Sequence, residues 1–168
     1  GENLKRKKEK YQKKNKNFEN ENHKAKKKYG QNFLEDSELS ERIIEISGVS
    51  KDTEVIEIGP GLGFLTGKLI EKSKYLTAFE IDDDLIPVLN KKFQGRDNFS
   101  LIHEDFMVAD LSTFLKGKKN IKVVANIPYY ITSPIINKLI EYRKNISEIY
   151  LMVQKEVAER IASEAGSR

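Results

Sequence analysis

From residue 37 onward, apolar positions recur along the chain in two rhythms. The first is helical. Ser37-x-x-Ser40-Glu41 opens a segment in which Leu39, Ile43, Ile44 and Ile46 return at helical spacing, and Gly48 stops it. The second is a set of short apolar runs, of which Glu54-Val55-Ile56-Glu57-Ile58 reads as a buried strand. A tight Gly59-Pro60-Gly61-Leu62-Gly63 loop follows, then a helix from Phe64 to Lys72 and a second strand over Tyr75–Glu80. Asp84 to Phe93 reads as a helix with Pro87 tolerated in its first turn. A third strand is predicted over Phe99–His103, and a loop with a short helix over Asp105–Leu115. A fourth strand covers Ile121–Ala125, and a helix spans Ser133 to Tyr142 with Pro134 at its start. Ile149–Val153 is the fifth strand, and the chain turns helical again from Lys155.

Strands alternating with helices imply an α/β fold, Rossmann-like, with a mostly parallel sheet covered by helices on both faces. Such sheets bind ligands outside the carboxyl ends of their strands. The residues with chemistry fall there: Gly59 after the first strand, Glu80 ending the second, Asp105 after the third and Asn126 after the fourth.

Composition adds a division of the chain. Residues 1–28 hold 12 Lys/Arg against 4 Asp/Glu, whereas the remainder holds 18 against 22, so the overall charge of +4 comes from the amino-terminal end. Residues 1–24 carry few apolar side chains and are expected to be a disordered or loosely helical basic arm, with the folded domain over 25–168. The arm reads equally well as an electrostatic contact to RNA phosphates or as a solvated tail. No apolar run approaches the roughly 20 residues of a membrane span, and no signal-peptide pattern is present, so a cytoplasmic location is expected. The sequence has no Cys and only two His, His23 and His103, so neither a disulfide nor a zinc site is expected.

The glycine loop narrows the ligand. Its glycines let backbone turn tightly and approach a bound group, and the following helix presents free N–H groups. The dinucleotide fingerprint G-x-G-x-x-G is not met, because Phe64 stands where its third glycine belongs. That disfavours a pyrophosphate and suits a ligand without phosphate, such as S-adenosylmethionine. Glu80, about 20 residues on, is placed to accept ribose hydroxyls. Asp82, Asp83 and Asp84 compete for attention, since one of them could cap the next helix. Asp105 offers a carboxylate to an adenine amino group. Ile81 and Phe106 could sandwich the ring, although each taken singly reads more readily as core.

Asn126-Ile127-Pro128-Tyr129 is the most informative string. The exocyclic amine of adenine is a poor nucleophile, because its lone pair is delocalised into the ring. Two acceptors holding its N–H groups would favour a more tetrahedral nitrogen; the Asn126 side chain and a backbone carbonyl near Ile127 could supply them. Pro128 stiffens the turn and lacks an N–H. Tyr129 offers a face on which a flipped or unpaired base can stack. No strong general base is needed, because the alkylated nitrogen is acidic and sheds its proton late.

The chain resembles the small-subunit ribosomal RNA adenine dimethyltransferases of the kasugamycin-resistance type from about Lys28 to its end. The resemblance rests on Tyr29-Gly30-Gln31-Asn32-Phe33-Leu34, Glu57-Ile58-Gly59-Pro60-Gly61, Asn126-Ile127-Pro128-Tyr129-Tyr130-Ile131-Thr132-Ser133-Pro134 and Gln154-Lys155-Glu156-Val157-Ala158-Glu159-Arg160. It implies S-adenosylmethionine as cofactor, with Asn32 and Leu34 at its methionine end. Gly59, Glu80, Asp105 and Asn126 then complete the cofactor site, and Asn126 also touches the target amine. The implied reaction is N6-dimethylation of two adjacent adenines near the 3′ end of 16S rRNA, on the immature small subunit. The related large-subunit enzymes of macrolide resistance share Gly-Gln-Asn-Phe and Asn-Ile-Pro-Tyr. They usually continue Asn-Ile-Ser-Thr after the tyrosine, so Tyr130–Pro134 and Gln154–Val157 favour the small-subunit type. A non-catalytic assembly factor on the same fold, and a small-molecule or protein methyltransferase, are the other readings; the Asn126–Tyr129 string argues against both.

Two departures from the family pattern stand out. The basic arm is foreign to it, and the family's sheet normally continues with two more strands and a small helical domain beyond the position of Arg168. The resemblance thus makes this a C-terminally incomplete chain. It is expected to be a monomer with an exposed strand edge open to pairing, to bind cofactor, and to methylate subunits poorly.

Overall fold

The computed structural model describes residues 37–152 and, ahead of them, Arg6, Glu9 and Lys13. Apart from those three residues, the basic arm lies outside the described residues, as do Asn32, Leu34 and the Gln154–Arg160 string.

Helix α1 (Ser37–Ser47) precedes β1 (Glu54–Ile58), and α2 (Phe64–Lys72) leads to β2 (Tyr75–Phe79). Helix α3 (Leu85–Lys92), β3 (Phe99–Ile102), the one-turn α4 (Ser112–Leu115), β4 (Ile121–Asn126), α5 (Tyr129–Glu141) and β5 (Ile146–Met152) follow. The strands form one sheet in the order β3-β2-β1-β4-β5, and every pairing is parallel. This is the doubly wound arrangement that the alternation of patterns predicts. The order reverses direction between β1 and β4, so the topological switch point lies at their carboxyl ends.

The strands are apolar almost throughout because both faces of the sheet are covered. On one face Ile56, Ile58, Val123 and Ala125 pack with Leu111, Leu115, Ile131, Ile135 and Leu139 of α4, α5 and the loop before α4. On the other, Val55, Leu76 and Val124 pack with Leu65, Leu69 and Ile70 of α2, and Ile43 and Ile44 of α1 close that side.

Two elements differ from the sequence-based expectation. Helix α5 begins at Tyr129, not Ser133, with Pro128 as its N-cap and Pro134 inside it. The Pro128 carbonyl accepts both the Ile131 N–H (3.2 Å) and the Thr132 hydroxyl (3.0 Å), which starts the helix before the second proline is reached. Pro134 lies inside the helix although it lacks the N–H that would reach back to the Tyr130 carbonyl, so one intrahelical bond is missing there. Strand β5 begins at Ile146, three residues early. Its exposed Ser147 and Glu148 hid it from a reading based on apolar runs, but Ile146 pairs with Ile121 and Glu148 with Lys122.

Candidate functional site at the switch point

Strand register places the candidate residues. Ile102, Phe79, Ile58 and Ala125 lie side by side across β3, β2, β1 and β4. The residue after each is therefore flush at the carboxyl edge: His103, Glu80, Gly59 and Asn126. Glu80 and Asn126, 21 and 67 residues from Gly59 in sequence, thus stand at the strand ends on either side of it.

Gly59 has φ +74, and its N–H donates to the Phe79 carbonyl at 3.0 Å. A Cβ built on it would stand 2.6 Å from the Asn126 backbone oxygen. Only glycine satisfies both the left-handed backbone and this approach. The loop after β1 and the end of β4 thus touch backbone to backbone. Gly63, with φ +86, is packed as closely, because its added Cβ would lie 2.8 Å from the Phe93 ring and 2.9 Å from Leu89. The glycine loop is held from both sides.

Glu80 is buried, at 6% exposure, and its carboxylate is organised by backbone. Oε1 accepts the Gly61 N–H at 3.2 Å, and Oε2 accepts those of Ile81 (2.9 Å) and Asp82 (3.1 Å). Burial pushes its pKa above the usual carboxylate value, against the lowering effect of the three amides. Each oxygen accepts about two hydrogen bonds, so capacity is left for a further donor. The neighbouring aspartates do other work. Asp82 Oδ1 accepts the Asp84 N–H at 2.9 Å and shapes the turn into α3, while the exposed Asp83 pairs with His103 at 2.7 Å.

Asp105 is buried at 8% exposure beyond β3, and its Oδ1 accepts the Met107 N–H at 3.0 Å. Its carbonyl receives the N–H groups of Val108 and Ala109, so residues 105–109 form a compact turn. Lys138 of α5 holds that turn from behind, donating from Nζ to the carbonyls of Phe106 and Ala109. Burial pulls the Lys138 pKa below its ordinary value, while Asp105 acts in the opposite direction. No periodicity signals this role; Lys138 reads as one polar position in an amphipathic helix. Phe106 is core: it is 3% exposed, meets Phe79 edge to face at 5.2 Å and has Lys138 5.1 Å from its ring centre.

At the end of β4, Asn126, Ile127 and Pro128 are partly exposed, and Tyr129 is 46% exposed as the first residue of α5. Tyr129 therefore sits on a helix start fixed by Pro128, not in a free loop. Tyr130 beside it is 39% exposed.

Below the glycine loop lies Glu57, 1% exposed in the middle of β1. It accepts a 2.6 Å hydrogen bond from the Thr66 hydroxyl of α2. Burial pushes its pKa up to about 8, with the Glu80 charge adding to the rise, so the carboxyl is neutral at pH 7. A charged residue flanked by Ile56 and Ile58 in β1 was the visible signal; its partner Thr66 was not.

The arrangement is a sheet edge with a buried carboxylate just after β2, a second beyond β3, glycine backbone just after β1 and an amide side chain ending β4. Loop 59–63 contains no Lys or Arg of its own, and the cation beside it, Lys92 of α3, donates from Nζ to the Leu62 carbonyl at 3.1 Å. The acidic rim suits a ligand with hydroxyls, an amine and positive charge.

Comparison with known proteins agrees with this chemistry. The family described as ribosomal RNA adenine dimethylase matches residues 22–168. Ribosomal RNA small subunit methyltransferase A of Fusobacterium nucleatum is 52% identical over 144 residues, covering 85% of this chain and 54% of that protein. The Clostridium botulinum protein of the same name is 46% identical over 138 residues, covering 82% and 50%. The chain thus spans about half the length of these relatives. Among solved structures, a Plasmodium falciparum dimethyladenosine transferase superposes with TM-score 0.62 at 32% identity, over 76% of this chain and 45% of that one. The 23S rRNA methyltransferase ErmE gives 0.63 at 31%, over 80% and 53%.

Proposed function

The chain belongs to the ribosomal RNA adenine dimethylase family, and from that premise we propose that its 25–168 region is the S-adenosylmethionine-binding catalytic part of an enzyme dimethylating N6 of two adjacent adenines near the 3′ end of 16S rRNA. The observation that carries this reading is the flush row of Gly59, Glu80 and Asn126, with the Gly59 position closed against the Asn126 carbonyl. Cofactor and target amine would meet where two strand ends already touch.

When bound, the cofactor supplies an electrophilic methyl group. The rest of the chemistry falls to this chain's residues. Glu80 would accept a ribose hydroxyl at the position on Oε1 that its three amide contacts leave free. Asp105 accepts from the adenine amino group of the cofactor, its turn braced by Lys138. Asn32 and Leu34 take the methionine end. The Asn126 side-chain oxygen and a carbonyl near Ile127 accept the two N–H groups of the target amine and free its lone pair from the ring. Tyr129 stacks on the base, and orientation carries most of the rate. The proton leaves the alkylated nitrogen to water, so no residue needs to act as a strong base.

The test is transfer of labelled methyl groups to unmethylated small subunits, paired with primer extension on rRNA from cells lacking this gene. Disappearance of the paired dimethyladenines of 16S rRNA is expected. Modification of large-subunit rRNA instead would reassign the chain to the macrolide-resistance branch, and assembly defects that survive Asn126→Ala would mark a non-catalytic factor.

A further inference from the structure

The two ends of the sheet carry opposite charge. At the carboxyl end, segments 59–63, 80–84 and 103–110 contain seven acidic residues, Glu80, Asp82, Asp83, Asp84, Glu104, Asp105 and Asp110, against the two cations that donate to their carbonyls, Lys92 and Lys138. At the amino end, the turns entering β4 and β5 reverse this. Residues 116–120 contain Lys116, Lys118 and Lys119, residues 142–145 contain Arg143 and Lys144, and neither turn contains an acidic residue.

These two turns are one surface. The Asn145 side-chain amide donates to the Leu115 carbonyl at 3.0 Å and to that of Lys118 at 2.9 Å, and the Ile121 N–H donates to the Asn145 carbonyl at 3.0 Å. Gly117 and Asn120, both at positive φ, bend the first turn tightly around that amide. Lys118 is committed to the fold, pairing with Glu54 at 3.4 Å and lying 4.5 Å from the Phe114 ring centre. Lys116, Lys119, Arg143 and Lys144 are exposed.

We infer that Lys116, Lys119, Arg143 and Lys144 form a second RNA contact, gripping the phosphate backbone of an rRNA segment about one strand length from the target base. The inference rests on the rRNA reading above and extends it. The acidic rim that suits a cationic cofactor repels the phosphates flanking an adenine delivered to Asn126, so the RNA must be held elsewhere. The six residues of β4 carry the chain about 20 Å from this patch to Asn126, comparable with the width of a neighbouring RNA helix. Cations on turns tied by Asn145 bind phosphate with less ordering cost than cations on a free tail, and they read charge, not sequence.

The test is the variant K116Q/K119Q/R143Q/K144Q of the protein, with R42Q/K91Q as a control for exposed charge elsewhere. Binding to unmethylated 16S rRNA and to small subunits is measured against salt, beside S-adenosylmethionine affinity and the melting temperature. The expected result is at least tenfold weaker RNA binding at moderate salt. The log K against log salt slope should be shallower by 1 or more, because each lost phosphate contact removes about 0.7–0.9. Cofactor affinity and melting temperature are expected to hold, and the control to match the parent. Parent-like affinity and slope in the quadruple variant would overturn the inference alone. Weakened binding to subunits with unchanged binding to naked rRNA would overturn it in favour of a ribosomal-protein contact. A parent that neither binds nor methylates rRNA would overturn the proposed function, and this inference with it.

Discussion

The cofactor half and the base half of the candidate site are built by different means. On the cofactor side, Glu80 is buried and takes three backbone N–H groups, the glycine loop is packed between Asn126, Leu89 and Phe93, and Asp105 sits in a turn that Lys138 braces. On the base side, Asn126 to Pro128 are partly exposed, and one proline-capped helix start sets Tyr129. The first half is preorganised by many short-range contacts. The second is left open, as a surface must be if it is to admit a macromolecular substrate. The lesson is that damage should partition: changes on the cofactor side should cost stability and cofactor affinity together, and changes on the base side should cost turnover while leaving the fold intact.

The sharpest break in that partition is expected at Asn126. Asn126→Ala should lower methyl transfer by about 10²–10³-fold or more, the scale seen when one preorganised polar partner is removed from a reacting centre. Its melting temperature should stay near that of the parent, and cofactor affinity should fall less than turnover. Equal losses in both would erase the distinction between the halves.

Gly59→Ala should cross the boundary from the other side. A side chain at φ +74 costs about 1–2 kcal/mol, and the 2.6 Å approach to the Asn126 oxygen adds to it. Denaturant melts should show a loss of more than about 2 kcal/mol, with weaker cofactor binding by titration calorimetry. An unperturbed Gly59→Ala protein would mean the two strand ends are not in contact.

Tyr129→Ala is expected to raise the RNA concentration needed for half-maximal transfer, by the about 1–3 kcal/mol typical of one base stacked on an aromatic ring. Tyr129→Phe should retain activity. Loss in the Phe variant would shift the role from ring face to hydroxyl.

Glu57 offers the gentlest probe, beneath the cofactor side. Its pKa is raised to about 8 in the folded protein, against 4.5 for the ordinary carboxyl. The folded state therefore holds a proton that the unfolded state releases between those values. Stability is fullest below pH 4.5, declines as pH rises through the interval, and levels off above about 8 for this group. Stability curves from pH 6 to 8 should slope downward by up to about 1.4 kcal/mol per pH unit. Glu57→Gln should flatten that slope, because Thr66 can donate to the amide oxygen as it does to the carboxyl. A slope unchanged in the variant would place the titrating group elsewhere.

Much of the fold was legible in residue order. Strands β1 to β4 fall within a residue of their apolar runs, since strands covered on both faces must be apolar and glycine or polar turns punctuate them. The failures share one cause: the local signal was weaker than a tertiary one. Pro134 looked like a helix start until the Pro128 carbonyl, receiving Ile131 and Thr132, began the helix earlier. Ser147 and Glu148 looked like loop until pairing with β4 drew them into the sheet.

The sequence by itself determined the candidates for the chemistry: a glycine loop without Lys or Arg, an acidic residue about 20 positions on, and an Asn-Ile-Pro-Tyr string after an apolar strand. Spacing alone did not choose among Glu80, Asp82, Asp83 and Asp84. Tertiary structure separates them: among the four, Glu80 is the one whose carboxylate is buried against the Gly61, Ile81 and Asp82 amides. Lys138 behind Asp105, Thr66 on Glu57 and Gly59 against Asn126 were likewise invisible in one dimension. Each joins groups that only parallel strand register and helix packing bring within reach.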